Sequence, residues 1–168
     1  MTTVIEYSLM AGASYISTRP DPNKFPIPQG WVIVTNPPYF RDDATGFEAA
    51  AFQNGTSIVI SFAGTYDNPL NPLTNPDLQA DIGLATGFGS AQLVQAAEYY
   101  LQVKAANPDA TITLTGHSLG GGLAALIGVF FGVPATTFDQ APFAKSAELD
   151  SLLPDVAQNL YTNLLAAR

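Results

Sequence analysis

Cysteine is absent from this 168-residue chain, and basic residues are few. Without cysteine there is no disulfide, no thiolate zinc site and no cysteine nucleophile. Six Lys and Arg residues stand against 14 Asp and Glu residues, which gives a formal net charge of −8. Because phosphate groups are recognised by clustered cations, this balance argues against a nucleic-acid partner and against docking on anionic membranes. Adsorption to a neutral lipid surface stays open.

The sequence also lacks a long apolar run. The longest candidate, residues 123–133, is interrupted by Gly128 and Gly132, and it is shorter than the ~18–20 residues of a membrane span. Residues 1–10 have no basic stretch ahead of an apolar core and no small-residue cleavage pattern, so we expect no Sec-type signal peptide in this sequence. Hydrophobic residues nevertheless make up 47% of the chain, enough for a globular core.

Short strand patterns alternate with helical patterns along the chain. Runs rich in β-branched residues predict strands at residues 31–35, 57–62, 111–115 and 135–138, and a strand-like run precedes Asn54-Gly55 at residues 47–53. Apolar spacing predicts helices at residues 3–17, 91–106, 119–131, 146–153 and 155–167. Residues 19–30 and 63–81 are rich in proline and predict loops. The alternation in the second half implies a parallel sheet, and no linker divides residues 1–168, so we expect a single domain.

Two local signals refine this prediction. Asn54-Gly55 separates two strand patterns and indicates a hairpin with a type I′ turn, in which both central residues have positive φ. The second strand of this hairpin, SIVISF at residues 57–62, is apolar almost without alternation, which is typical of a strand covered on both faces. Ser90 is predicted to be the N-cap of the helix at residues 91–106.

The sequence Gly116-His117-Ser118-Leu119-Gly120 has the pattern G-x-S-x-G. It directly follows a predicted strand and opens an apolar helix, which is the context of a nucleophile elbow. Gly116 and Gly120 suit such an elbow because the backbones on either side of the serine approach each other closely. Ser118 would be the nucleophile, and the backbone N–H of Leu119 would be one oxyanion donor at the helix N-terminus. The alternative is a glycine-rich turn in which Ser118 only caps the helix.

His117 is the only histidine in the chain. It would have to be the general base if this chain alone carried a complete triad. Neighbouring side chains at an elbow point away from the nucleophile, which favours a histidine hydrogen-bonded near the site instead.

The chain resembles the class 3 lipases, a branch of the α/β-hydrolases, over residues 31–143. The resemblance rests on Ser61-Phe62-Ala63-Gly64-Thr65, which is similar to the F-R-G-T/S oxyanion strand of that family, on Gly87-Phe88 ahead of a helix, and on the elbow. It implies an α/β-hydrolase-like mixed, mostly parallel sheet flanked by helices and truncated on the C-terminal side. A similar arrangement belongs to the lipase-like domains of large bacterial secreted proteins.

The resemblance also implies an activity. A lipase-like serine hydrolase would cleave carboxylic esters, most of all lipid esters, through an acyl-enzyme at Ser118, with Thr65 as the second oxyanion position. No metal or organic cofactor is needed for that chemistry. Ala63 stands where the family usually has arginine, so the packing of this loop is expected to differ. By analogy the protein is secreted by a route other than Sec; otherwise it is cytoplasmic.

The sequence leaves more than one residue as a candidate for the triad acid. Asp139 follows the predicted strand at residues 135–138, where some lipases carry their catalytic Asp, but class 3 lipases usually have glycine there. Asp139 is therefore either the acid or a carboxylate that caps a turn. Asp150 and Asp155 are weaker candidates that better suit helix caps. Asp81 resembles the acidic residue ahead of the oxyanion-facing helix of the class 3 lipases, and it suits a loop-capping carboxylate at least as well.

The main departure from the family is the base, because no histidine follows Ser118. The chain is therefore expected to be an N-terminal piece of a longer enzyme, a hydrolase-like binding or scaffold module without catalysis, or one that takes its histidine from a second chain. A thioesterase or protease on the same fold is a further alternative. An uncovered sheet edge would favour self-association or pairing with a missing C-terminal segment.

Overall fold

Three helices and six strands make up the part of the chain that the computed structural model describes, residues 1–16, 20, 24–64 and 88–140, without the side chains of residues 88–90. In chain order they are α1 (Val4–Ala13), β1 (Val32–Ile33), β2 (Phe40–Asp42), β3 (Phe47–Asn54), β4 (Ser57–Phe62), α2 (Phe88–Ala106), β5 (Thr111–His117), α3 (Leu119–Phe131) and β6 (Ala135–Phe138). None of these three helices is both long and apolar enough to cross a membrane.

The strands form one mixed sheet in the order β1-β3-β4-β5-β6, with β2 also paired to β3. β3 runs antiparallel to β1, β2 and β4, whereas β4, β5 and β6 are parallel to one another. The predicted mixed, mostly parallel α/β sheet with its parallel second half is therefore confirmed. Parallel strands bring their carboxyl ends to one edge of the sheet, and this edge carries the ends of β4, β5 and β6.

The sheet is covered on both faces by apolar side chains. On β3, Ala49 and Ala51 pack with α2 and α3, whereas Ala50 and Phe52 pack with Met10 of α1 on the opposite face. β4 alternates in the same way and is almost fully buried. The prediction that the run SIVISF lies between two covering layers is confirmed. Such two-sided burial is the reason the strand carries apolar residues at successive positions.

The hairpin between β3 and β4 is present, but its turn type differs from the prediction. Asn54 pairs with Ser57, so the two loop residues are Gly55 and Thr56. Only Gly55 has positive φ, at 59°. Positive φ at the first loop residue alone is the pattern of a type II′ turn. The type I′ prediction was wrong because Asn54 remains in the strand ladder instead of entering the turn.

Some helix and strand boundaries in the structure agree with those predicted from the sequence, and others differ. α3 and β6 have the predicted bounds, and β5 runs two residues further than predicted, to His117. α2 begins at Phe88, so Ser90 lies inside the helix and its prediction as an N-cap was wrong. β2 was not predicted, because it is short and carries charged residues that only its pairing with β3 makes strand-like. The helices predicted at residues 146–153 and 155–167, and most of the loop at residues 63–81, lie outside the described residues.

Helix α1 is anchored at its N-terminus and lies along the parallel strands. Thr3 and Glu6 form a reciprocal capping box, and the second oxygen of the Glu6 carboxylate accepts a hydrogen bond from Trp31 Nε1 at 2.9 Å. Further along, the Tyr7 hydroxyl donates to Thr113 Oγ1 of β5 at 3.0 Å. This anchoring carries the chain after α1, including Tyr15, to the carboxyl end of β5.

Helix α2 is tied to the turn between β2 and β3 by side-chain amides. Gln95 Nε2 donates to Asp42 Oδ2 at 2.6 Å, and Gln92 Nε2 donates to the Thr45 carbonyl at 2.6 Å. The same turn is closed from within by the N–H of Ala44, which donates to Asp42 Oδ1 at 2.8 Å. The hydrogen bond from Ala44, and then that from Gln95, hold the pKa of the Asp42 carboxyl below its usual range.

Candidate active site

Ser118 stands between the end of β5 and the start of α3 in a conformation that few residues other than glycine adopt. Its φ is 56° and its ψ is −126°, and Asp139 is the only other non-glycine residue with positive φ in the described part of the chain. A helix-capping serine has β-region angles and bonds its hydroxyl to a nearby N–H. Ser118 stands at the N-cap position but has neither feature, so its hydroxyl does not cap α3.

The backbone of Ser118 is held from two sides. Its N–H donates to the carbonyl of Phe138 in β6 at 3.1 Å, and its own carbonyl accepts from the N–H of Gly122 in α3 at 3.2 Å. The neighbouring register pairs His117 with Phe138. These bonds fix the turn on both flanks, which is how a fold retains a strained backbone conformation that costs about 1–3 kcal/mol.

The two glycines of the motif lie where backbones touch. A Cβ on Gly116 would lie 2.3 Å from the carbonyl oxygen of Gly120, and a Cβ on Gly120 would lie 2.0 Å from the carbonyl oxygen of Phe62. Real Cβ atoms are not found at such distances from backbone atoms. The strand-to-helix turn therefore closes only with glycine at both positions.

Gly64, two residues beyond β4, lies directly beside Ser118. A Cβ on Gly64 would lie 3.2 Å from the Cβ of Ser118 and 2.9 Å from the carbonyl oxygen of His117. The end of β4 is thus in direct contact with the elbow. Thr65, predicted from the resemblance as the second oxyanion position, follows Gly64 in sequence but lies outside the described residues.

Tyr15 was missed by the sequence analysis. Its hydroxyl accepts a hydrogen bond from the N–H of Gly64 at 2.9 Å and lies 3.3 Å from Nδ1 of His117. Its side chain is buried. No local pattern indicated it, because its partners are 49 and 102 residues away in sequence.

His117 is half-buried, and its imidazole is hydrogen-bonded to Tyr15. No hydrogen bond joins the imidazole to the hydroxyl of Ser118 among the described residues. The geometry therefore agrees with a histidine held next to the site rather than with a general base in contact with the nucleophile.

Asp139 directly follows β6 and is exposed. Its φ of 45° is in the left-handed region, so the chain turns sharply there. Its carboxylate makes no hydrogen bond to His117 or to any other residue in the described ranges. The structure therefore brings Asp139 to the same sheet edge as Ser118 without joining the two.

Of the remaining candidates, only Leu119 lies within the described residues. Leu119 is the first residue of α3, so its N–H has no acceptor within the helix and is free to face a ligand. Asp81, Asp150 and Asp155 lie outside the described residues. Within the described ranges, no three His, Asp or Glu side chains come together as a metal-binding group would require.

One protein-family model matches most of the chain, including the elbow. Residues 28–150 match the family model described as Phospholipase-like, Tle-like phospholipase domain. The extracellular phospholipase A1 of Serratia liquefaciens is 37% identical over 106 residues, which are 63% of this chain and 31% of that protein. The chain spans less than a third of the length of the curated relatives it matches.

Solved lipase structures share the fold. The lipase of Rhizopus microsporus var. chinensis is similar with a TM-score of 0.57 at 18% identity, over 81% of this chain and 56% of that one. Lipase II of Rhizopus niveus is similar with a TM-score of 0.55 at 20% identity, over 88% of this chain and 66% of that one. At such low identity the likeness extends to the α/β-hydrolase fold alone.

Proposed function

Because this chain belongs to the family of Tle-like phospholipase domains, we propose that it carries the nucleophile of a serine esterase that cleaves carboxylic esters of lipids, with phospholipids as the main substrate class. The observation that carries the proposal is Ser118, held at φ 56° and ψ −126° with its hydroxyl unused as a helix cap. A strained serine whose side chain serves no structural bond fits a nucleophile. The name of the Serratia relative, a phospholipase A1, supports a phospholipid substrate.

In the proposed reaction, Ser118 Oγ attacks the ester carbonyl carbon while a general base takes the hydroxyl proton. The N–H of Leu119 and the backbone of Thr65 stabilise the tetrahedral oxyanion. The alcohol, a lysophospholipid, leaves with a proton from the base, and the fatty acyl group stays on the serine. Water then hydrolyses this acyl-enzyme by the same steps, releases the fatty acid and restores the Ser118 hydroxyl.

The source of the base is part of the proposal. His117 is the only histidine of the chain, and its Nδ1 is hydrogen-bonded to Tyr15. A histidine in the additional length that the relatives have, or on a second chain, would complete the triad. Asp139 is the candidate acid in the present sequence, since it lies at the carboxyl edge of the sheet, just after Phe138, which binds the Ser118 N–H.

The free side of β6 is the proposed place for such a completing segment. In the described residues β6 pairs with β5 alone, and an open strand edge invites a further strand. A second copy of this chain would use the same edge. Sedimentation across a concentration series tests this point, because a monomer at every concentration would contradict self-association.

The test of the function compares wild type with Ser118→Ala and Ser8→Ala. Ser8 is the matched control, because its hydroxyl binds only the Ile5 carbonyl of α1. Each protein is incubated with phosphatidylcholine vesicles, whose neutral headgroup suits a chain of net charge −8, and the products are identified by mass spectrometry. Any fatty acid and lysophospholipid that wild type releases should also be released by Ser8→Ala and should be absent with Ser118→Ala.

Two other outcomes are informative. If all three proteins are inactive, this chain lacks a base, and vesicle co-sedimentation then tests the alternative of a hydrolase-like binding module. If Ser118→Ala retains the activity of wild type, the assignment of the nucleophile is wrong.

A further inference from the structure

The Tyr15 hydroxyl joins two backbone segments that meet at the nucleophile. It accepts the N–H of Gly64 at the end of β4, at 2.9 Å, and lies 3.3 Å from Nδ1 of His117 at the end of β5. Tyr15 itself comes from the segment after α1, and its side chain is only 6% exposed. One buried oxygen atom therefore links three separate parts of the chain immediately beside Ser118.

The contact leaves Gly64 little freedom to move. A Cβ on this glycine would lie 2.5 Å from the Tyr15 hydroxyl oxygen. On its other side, the same Cβ would lie 3.2 Å from the Cβ of Ser118. Gly64 thus fills a slot between Tyr15 and the elbow, and the Tyr15 oxygen sets how close the end of β4 comes to the serine.

The hydrogen bond also restricts which N–H groups can serve an oxyanion. The Gly64 N–H is already donated to Tyr15, so it cannot point at a substrate oxygen. The bond fixes the plane of the peptide between Ala63 and Gly64, from which the chain continues to Thr65. The N–H of Leu119 has no acceptor within α3 and therefore remains as a donor for an oxyanion at Ser118.

We propose that Tyr15 is a positioning residue for the nucleophile. Its hydroxyl holds the end of β4 and the imidazole of His117 in the arrangement that presents Ser118 to an ester. This inference rests on the proposed function, since it assigns a role in the same site. Small displacements of reacting groups lower rates by up to about a hundredfold, and we expect about a tenfold loss or more when the hydroxyl is removed.

The experiment compares Tyr15→Phe with Tyr7→Phe. Both variants remove one hydroxyl that fastens the N-terminal region to β5, but that of Tyr7 bonds Thr113, away from the elbow. The first readout is the rate at which a fluorophosphonate modifies Ser118, followed by intact mass with Ser118→Ala as the blank. We expect Tyr15→Phe to react at least about tenfold more slowly than wild type, and Tyr7→Phe to react at the wild-type rate. Equal rates for the two variants would overturn the proposal.

The second readout does not depend on catalysis. Because the chain has one histidine, the imidazole signals of ¹⁵N-labelled protein report on His117 alone. Tyr15→Phe should shift these signals, together with the amide signals of Gly64 and Ser118, and should speed hydrogen exchange of the Gly64 amide. Tyr7→Phe should leave all of them in place. Unchanged Gly64 and Ser118 signals in Tyr15→Phe would overturn the proposal.

The two readouts separate this inference from the proposed function. If wild type neither reacts with the fluorophosphonate nor hydrolyses ester, the proposed function fails for this chain, and the spectra alone decide on Tyr15. If Tyr15→Phe does not fold, hydrogen exchange of the wild type decides: the proposal requires a slowly exchanging Gly64 amide, and a rapidly exchanging one would contradict it.

Discussion

The first turn of α3 rests on the end of β4 through Gly120 and Phe62, since a Cβ on Gly120 would lie 2.0 Å from the carbonyl oxygen of Phe62. No side chain separates the two backbones. A Cβ on Gly116 would in turn lie 2.3 Å from the Gly120 oxygen. The elbow therefore owes its position to direct contact among β4, β5 and α3, and substitutions at these glycines test that dependence.

Gly120→Ala should destabilise the fold strongly. The added methyl group meets the backbone of Phe62, which is fully buried in a central strand and cannot move aside. Overpacking in a rigid interior costs about 1–3 kcal/mol, occasionally more, and we expect the upper end of that range. Urea denaturation followed by circular dichroism measures the loss.

Gly121→Ala is the matched control for this prediction. It adds the same methyl group to the next residue of the same helix, but its nearest contacts are the Cβ of Gln140 at 3.0 Å and the carbonyl oxygen of Gly116 at 3.1 Å. These contacts need shifts of only a few tenths of an ångström, so the loss of stability should be clearly smaller than for Gly120→Ala. Equal losses for the two variants would mean that general effects on α3, and not the contact with Phe62, limit stability.

Ser118→Gly should stabilise the chain while it removes the proposed nucleophile. Glycine adopts φ 56° and ψ −126° without the strain of about 1–3 kcal/mol that a side chain causes there, although it loses about 0.5–1 kcal/mol through the greater freedom of the unfolded chain. We expect a net gain of about 1 kcal/mol, or about 2–4 °C in the melting temperature. Differential scanning calorimetry measures the shift.

Ser118→Ala separates strain from loss of the hydroxyl. Alanine keeps the Cβ and therefore the strain, so its melting temperature should stay near that of wild type. A Ser118→Ala variant as stable as Ser118→Gly would show that the hydroxyl, and not the backbone conformation, is the source of the cost.

Elements with a local signal were predictable from the sequence. The bounds of α3 and β6 agree with the predictions because glycines and apolar periodicity mark them within the segment itself. β2 has no such signal: Phe40, Arg41 and Asp42 become a strand only through pairing with β3. Ser90 was wrongly predicted as an N-cap. The residue at which a helix begins depends on the preceding residues as much as on the capping preference of a single serine.

The residues of the candidate site also differ in whether the local sequence indicates them. Ser118, Gly116 and Gly120 could be proposed from the sequence because an elbow places its parts within five consecutive residues. Tyr15 could not be found, because its bonds to Gly64 and His117 exist only after α1 has packed on the sheet. The role of Asp139 as the triad acid stays a prediction. The sheet topology brings Asp139 to the carboxyl ends of the parallel strands, near Ser118, but its carboxylate has no hydrogen-bond partner among the described residues.

Asp42 should make the stability of the chain depend on acid pH. The N–H of Ala44 and then the amide of Gln95 lower the pKa of its carboxyl in the folded state. The stability from a lowered carboxyl pKa is fully present above the unfolded value of about 3.9 and is lost as pH falls through the lower folded pKa. Asp42→Asn should therefore be less stable than wild type at neutral pH, and the difference should shrink below about pH 4.

Urea midpoints of both proteins on either side of about pH 4 measure this difference, with Asp109→Asn as the control. Asp109 is exposed in the loop before β5. A constant gap between Asp42→Asn and wild type over the whole pH range would contradict the assignment.

Glu6 should couple the start of α1 to the environment of Trp31. One carboxylate oxygen accepts the N–H and hydroxyl of Thr3, and the other accepts Trp31 Nε1 at 2.9 Å. These bonds, that from the Thr3 backbone first, lower the pKa of Glu6 from its ordinary value. The stability they give is present above the unfolded pKa of about 4.3 and is lost as pH falls through the lower folded pKa.

Trp31 is the only tryptophan in the chain, so its fluorescence reports on this pair without interference. We expect its emission to change with a midpoint below about pH 4.3, and Glu6→Gln to abolish that transition. Because a charged acceptor binds more strongly than an amide, Glu6→Gln should also cost about 1 kcal/mol or less at neutral pH. Glu98→Gln, on the exposed side of α2, should leave both the transition and the stability unchanged. A transition that persists in Glu6→Gln would mean that a carboxyl other than Glu6 controls the emission of Trp31.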